Sequence, residues 1–164
     1  MILAVSDTGP LLHLEEANCL DVLSAVGDVH APLRVMIELV DHMSTWHTPD
    51  WLAVDTLDAT HAGDAAAWLQ AGLLHAGEAE AIALARQINA KWLLTDDAGA
   101  RLFASELSIE VHGSLGIVLW AAATGYADRD TSYLALTRLA SSSLWISRRV
   151  LAEAQSALDE MFHQ

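Results

Sequence analysis

Five acidic residues occupy positions in the sequence where carboxylates could perform chemistry. Asp7 follows an apolar run at residues 2–6, and Asp96 and Asp97 follow a second, largely apolar run at residues 91–95. Runs of this kind are typical of strands that are buried on both faces of a parallel sheet. Because ligands of open α/β sheets bind outside the carboxyl ends of the strands, these three acids are candidates for one shared site.

Helix capping is the alternative role of each aspartate. An Asp that follows a strand commonly accepts hydrogen bonds from the first backbone N–H groups of the next helix. One such position in a chain would leave the two roles evenly balanced. The presence of two such positions favours a functional site over two unrelated caps.

Two glutamates extend the predicted site. Glu78 begins a predicted helix at residues 77–88, where a carboxylate also complements the helix dipole. Glu80 lies about 200° around that helix from Glu78, so both cannot face one site, and Glu80 is expected to face solvent. Glu38 lies within an apolar helical stretch at residues 33–43, where an acid is costly unless a metal or an arginine relieves its charge.

The composition of this acidic set indicates hard-metal chemistry. Four or so converging carboxylates cannot all remain ionised unless cations lie among them. Oxygen ligands without cysteine or clustered histidine favour Mg²⁺ or Mn²⁺ over Zn²⁺, and the eight histidines are scattered enough to predict surface or packing roles. One or two such ions could activate water and stabilise in-line displacement at a phosphodiester, so phosphodiester hydrolysis is the predicted reaction class.

Other enzymes with an aspartate at a strand end fit less well. A haloacid-dehalogenase-like phosphatase needs a second Asp two positions after the first, where this chain has Gly9. A phosphate-receiver domain needs its acidic pair near the first strand, whereas Asp96 and Asp97 come late. Neither a Gly-Lys-Ser/Thr loop nor a Gly-x-Gly-x-x-Gly turn follows any predicted strand, which argues against nucleotide-cofactor folds.

Length, charge and cysteine content limit the class of protein. The 164 residues, 53% of them hydrophobic, predict one domain over residues 1–164. No apolar run approaches the roughly 20 residues that span a bilayer, and the single cysteine, Cys19, fits a reducing cytoplasm. A net charge of −14 with eight Lys and Arg residues argues against a broad basic groove, although bound cations could still attract phosphate at an acidic site.

The alternation of predicted strands and helices indicates a three-layer α/β/α sandwich around a mostly parallel sheet. The predicted strands are residues 2–6, 29–31, 51–57 (a strand or an edge ribbon), 91–95 and 109–112. The predicted helices are residues 10–26, 33–43, 64–74, 77–88, 98–106, 117–124, 130–140 and 147–161.

Short motifs in a fixed order run along nearly the whole chain. Residues 6–11 read Ser-Asp-Thr-Gly-Pro-Leu, Pro32 is followed by Val35 and Glu38, and residues 77–85 read Gly-Glu-Ala-Glu-Ala-Ile-Ala-Leu-Ala. This order resembles the PIN-domain family, in particular the prokaryotic DUF3368-type branch related to the VapC-type toxin ribonucleases. Further similarity lies in residues 93–97 with Arg101, in the turn at residues 113–116 and in residues 144–147.

The resemblance implies a Mg²⁺- or Mn²⁺-dependent endoribonuclease that cuts single-stranded RNA. Its implied catalytic acids are Asp7, Glu38, Glu78, Asp96 and Asp97. Of these, Asp7, Glu78, Asp96 and Asp97 are the implied metal ligands, and Glu38 and Glu78 could act through water. The ligand role stays open between Asp96 and Asp97, because the first could cap the helix while the second reaches the metal.

Substrate and partners are also implied by the resemblance. Thr8 and Arg101 are expected to position a phosphate, and the alternative for Arg101 is an ordinary surface or ion-pairing residue. RNA is the expected substrate and a small antitoxin a possible partner. Apart from the resemblance, apolar stretches near both ends of the chain make a homodimer, without membrane attachment, the expected assembly. A non-catalytic protein-interaction module is the rival function, and a DNA nuclease is a third.

Overall fold

Five parallel strands form the central sheet of the computed structural model, which describes residues 1–163. The strands lie in the order β3-β2-β1-β4-β5. Their bounds are β1 Ile2–Ser6, β2 Gly27–Pro32, β3 Leu52–Asp55, β4 Trp92–Leu94 and β5 Glu110–His112.

The strand order reverses direction beside β1. The chain passes from β1 outward through β2 to β3, then returns to the other side of β1 with β4 and continues to β5. In such sheets a crevice opens at the carboxyl ends of the two strands where the order reverses. Ser6 of β1 pairs with Leu94 of β4, so Asp7 and Thr95 follow as neighbours at that point.

Helices connect and cover the strands. They are α1 Thr8–Glu16, α2 Val22–Val26, α3 Leu33–His42, α4 Ala59–Gln70, α5 Ala76–Gln87, α6 Ala98–Glu106, α7 Ser114–Ala123, α8 Arg129–Ala140 and α9 Arg148–Phe162. Within residues 1–163, none of these helices has both the length and the apolar character needed to cross a membrane.

Side chains of the central strands alternate between two separate cores. Ala4 of β1 and Leu94 of β4 pack in the larger core, together with apolar residues of α1, α2, α3, α7, α8 and α9. Val5 and Leu93 point the opposite way, into a smaller core formed with α4, α5 and α6. Alternation of side chains along a strand therefore produces the two helical layers, and the predicted α/β/α sandwich is confirmed.

Three predicted helix boundaries are wrong. The first predicted helix starts earlier, at Thr8, and is broken into α1 and α2 by residues around Asn18, whose φ of 55° is left-handed and stops an α-helix. The helix α4 begins at Ala59 because the Asp58 side chain caps it by accepting from His61 N. The helix α7 begins at Ser114, inside the segment predicted to be a turn.

Candidate active site

Asp7 lies where the crevice opens, between β1 and α1. Its backbone N–H donates to the Leu94 carbonyl at 2.8 Å, which joins the end of β1 to the end of β4. Its carboxylate accepts from Thr8 N at 2.7 Å and from the Thr95 hydroxyl at 2.9 Å. With only 6% of its surface exposed, Asp7 is held on both sides and has little freedom to turn away.

Burial gives this carboxyl group an unusual acidity. Desolvation raises the pKa of Asp7 to about 7, although the hydrogen bonds from Thr8 and Thr95 oppose the rise. The negative charges of Glu78 and Glu38 raise the pKa of Asp7 further. Near neutral pH Asp7 is therefore divided between its protonated and ionised forms, and a nearby cation would favour the ionised form.

Glu38 reaches the same region from α3. Its carboxylate accepts from the Thr8 hydroxyl and, at 3.0 Å, from the backbone N–H of Gly77. These two donors, rather than an arginine, relieve the cost of placing an acid in this helix. A Cβ at position 77 would lie 2.7 Å from Glu38 Cδ, so a glycine is required for the start of α5 to approach Glu38 this closely.

Glu78 occupies the first turn of α5. One of its oxygens accepts from the backbone N–H of His75 at 3.0 Å, which forms half of a capping box. The side chain also lies near enough to Asp7 for its charge to affect the pKa of that residue. Glu78 therefore has the helix-start role that was predicted as the alternative to metal binding, and in that role it still lies near Asp7.

Asp96 and Asp97 follow β4 and have different partners. Asp96 accepts from His13 Nδ1 at 2.7 Å, from Ser114 N at 2.6 Å and from the Ser114 hydroxyl. Asp97 is the N-cap of α6 and accepts from Ala100 N at 2.8 Å. The capping role that the sequence left open between the two belongs to Asp97, which directly precedes α6.

All five acids line one cavity of about 610 Å³, called the acid cavity below. Thr8, His13 and Trp145 also line it. Among residues 1–163, no three His, Cys, Asp or Glu side chains lie close enough together to form a preformed metal-binding group. The donors still fit a divalent cation, since carboxylate oxygens are the ligands Mg²⁺ and Mn²⁺ prefer and Asp7 lies in a negative field that a cation would neutralise.

A second cavity of about 410 Å³, called the Arg101 cavity below, adjoins the acid cavity. The two share Asp96, Leu144 and Trp145. Arg101 lines only the second one. The Arg101 guanidinium lies close to Gly113. Arg101 is exposed, as its surface alternative predicts, and it forms no ion pair with any acid among the residues that the structure describes.

A family model described as a PIN domain (DUF3368) matches residues 3–160. The chain belongs to the PIN-domain family. PIN domains are generally nucleases that use divalent metals, and membership implies nucleic acid as the binding partner. No curated protein matches the chain at a significant level.

Sequence reasoning missed several residues of this PIN-domain site. The histidines were predicted to have surface or packing roles, yet His13 contacts Asp96, and Thr95 and Ser114 orient the acids. His13 lies four residues after Gly9, on the same face of α1. A Cβ at Gly9 would lie 3.4 Å from Asp96 Cβ, so that face of α1 packs directly on the acid.

Proposed function

We propose that the chain is a divalent-metal-dependent nuclease that hydrolyses phosphodiester bonds in single-stranded RNA. The observation that carries the proposal is that five acids from distant parts of the sequence meet at one cavity. They come from separate parts of the chain, after β1, in α3, in α5 and after β4, and all line one cavity where the strand order reverses. Ordinary surface acids have no reason to converge in this way, because their mutual repulsion costs free energy.

Asp7, Glu78, Asp96 and Asp97 are the residues that we propose to hold one or two Mg²⁺ or Mn²⁺ ions, with Glu38 and Glu78 able to act through water. When bound, such an ion attracts phosphate and makes water a stronger nucleophile near neutral pH. The protein contributes orientation. Thr95 and Thr8 N fix both oxygens of Asp7, and His13 with Ser114 fixes Asp96.

Thr8 has a supporting role in this proposal. Its hydroxyl donates to Glu38, so it positions a catalytic acid and links α1 to α3. Contact of Thr8 with a phosphate stays a prediction. Arg101 is the proposed phosphate-binding cation, because it lies beside the acid cavity without an acidic partner among residues 1–163.

RNA as the substrate, and a toxin role in a toxin–antitoxin pair, are proposed on the resemblance of the motifs. A homodimer is proposed on the apolar character of the chain, not on the resemblance. Three exposed apolar side chains, Leu33, Ile37 and Val40, lie at helical spacing on α3 and provide apolar surface for such an assembly. Sedimentation velocity would test the dimer, and matched RNA and DNA oligonucleotides would test the choice of substrate.

The experiment that tests the nuclease proposal compares two Asp→Asn variants. Asp7→Asn should abolish Mn²⁺-dependent cleavage of single-stranded RNA while the fold remains. Asp128→Asn makes the same chemical change at the N-cap of α8, far from the acid cavity, and should cleave as the wild type does. Retained Mn²⁺-dependent cleavage in a clean Asp7→Asn preparation would contradict the proposal.

A non-catalytic interaction module is the second candidate. The observation that favours it is that Asp96, Asp97 and Glu78 already accept hydrogen bonds from protein groups around them. Within residues 1–163 no preformed metal-binding group is present either. Absence of Mn²⁺ binding by the wild-type protein would favour this module over the enzyme.

A further inference from the structure

Trp145 is an aromatic residue in an unusual position. Its surface is 84% exposed, whereas Trp46 and Trp92 are buried in the core. It lies on the boundary between the two cavities and lines both of them. Removing a large apolar side chain from water is favourable, so a ligand that covers this exposed tryptophan beside the proposed active site would gain binding free energy from the contact.

The segment that carries Trp145 is anchored on both sides. Before it, the Ser143 backbone N–H and hydroxyl both donate to the Glu16 carboxylate. After it, the Ser147 hydroxyl caps α9 by accepting from Val150 N at 3.1 Å. The indole is therefore presented by a fixed backbone, which lowers the entropy cost of binding a ligand on it.

The charge around Trp145 changes from one cavity to the other. On one side lie the five carboxylates of the acid cavity. On the other side Arg101 lines the second cavity together with a single acid, Asp96. A cation therefore lies close to Trp145, although the chain as a whole carries a net charge of −14.

We propose that Trp145 is a stacking platform for a nucleobase of single-stranded RNA, which places the attached phosphate in the acid cavity and a neighbouring phosphate beside Arg101. Every base has a face that can stack on an aromatic ring, so this contact gives affinity without a broad basic groove. The inference rests on the proposed function for its substrate class. It assigns Trp145 as a substrate-positioning residue.

Fluorescence anisotropy of a short labelled polyadenylate tests the proposal. The strand is 2′-O-methylated to resist cleavage, so the otherwise wild-type protein with Mn²⁺ is used in all samples, and Trp145→Ala is compared with Trp145→Phe. Tyr126→Ala is the matched control, because Tyr126 is an exposed aromatic residue that lines neither the acid cavity nor the Arg101 cavity. Circular dichroism checks that each variant is folded.

Trp145→Ala should weaken binding roughly 5- to 100-fold, while Trp145→Phe keeps most of the affinity. Tyr126→Ala should bind as its background does. A matched strand with abasic sites in place of the bases should bind weakly and should not respond to Trp145→Ala. A structural role of Trp145 would instead weaken binding of both strands equally, and that result would overturn the proposal.

Cleavage of the unmethylated strand by the wild-type protein, measured in parallel, separates this inference from the proposed function. Metal-dependent cleavage combined with binding that ignores Trp145→Ala would overturn the stacking role and leave the nuclease intact. Binding that depends on Trp145 without any cleavage would support stacking and contradict the nuclease. Failure of all variants to bind the RNA, as expected if Trp145 instead faces a protein partner, would also overturn the stacking role.

Discussion

The acid cavity and the Arg101 cavity share Asp96, Leu144 and Trp145 and differ in the charge of their other lining residues. In the acid cavity, carboxylates are fixed by backbone N–H groups and hydroxyls, and Asp7 is nearly inaccessible to solvent. The second cavity has an arginine that forms no ion pair among the described residues. Under the proposed function, this difference would place cation binding and substrate binding in separate cavities, which would let a chain of net charge −14 act on a polyanion.

The largest expected effect comes from Asp7 in the acid cavity, and it is a change with pH in the free energy of unfolding of the metal-free protein. Because burial raises the pKa of Asp7 from 3.8 to about 7, ionisation of Asp7 favours the unfolded chain. The metal-free wild type should therefore lose stability as pH rises from about 4 through 7. Asp7→Asn should remove this loss, on the order of 4 kcal/mol at pH 8. Thermal melts at pH 4 and pH 8 measure it, and equal melting temperatures of both proteins at pH 8 would contradict the account.

A glycine substitution should disturb the acid cavity alone. In Gly77→Ala the new methyl group would meet the Glu38 carboxylate, so the cleavage rate should fall roughly 100-fold, which corresponds to about 2.7 kcal/mol. Gly63→Ala is the matched control, since Gly63 also lies in a helix and a Cβ there meets nothing within 4 Å. Equal activity of the two variants would show that the position of Glu38 does not matter.

Loss of one hydroxyl should have a smaller effect on the same cavity. Ser114→Ala removes a donor to Asp96 and should lower kcat about 10-fold, with little change in KM. Ser132→Ala is the control, because Ser132 is equally buried but donates to the Asp128 carbonyl in α8. A change in KM alone would indicate that Asp96 contacts the substrate instead of orienting a cation.

A substitution in the Arg101 cavity should change KM and leave kcat nearly unchanged, the reverse of the effect expected for Ser114→Ala. Arg101→Ala should raise KM a few-fold, leave kcat nearly unchanged and lower the slope of log affinity against log salt by about 1. Arg86→Ala, on an exposed site of α5, serves as the control. A large fall in kcat with Arg101→Ala would contradict the assignment of the reaction to the acid cavity and of substrate binding to the Arg101 cavity.

Much of the sheet and the positions of its acids could be predicted from the sequence. Continuous apolar runs mark β1 and β4, and Asp7 and Asp96 follow them directly. The break at Asn18 was missed because no glycine or proline marks it, although asparagine is, after glycine, the residue that most readily adopts a left-handed backbone. The start of α4 was missed because residues 59–63 lack an apolar period.

Residues that depend on tertiary register were the hardest to predict. Ser114 and His13 meet at Asp96 only because β4 pairs with β5 and α1 packs beside β4, and neither contact leaves a pattern in the sequence. The capping role of Asp97 depends on where α6 begins. A start one residue earlier would have made Asp96 the capping residue instead. The exposure of Trp145 follows from its loop and has no periodic signal.

Calorimetric titration with Mn²⁺ tests the central claim most directly, namely that the acid cavity holds a divalent cation. The account predicts binding to the wild type and to Asp128→Asn, and at least about 100-fold weaker binding to Asp7→Asn, a difference of about 2.7 kcal/mol. Absence of binding to the wild type, or equal binding to all three proteins, would contradict it.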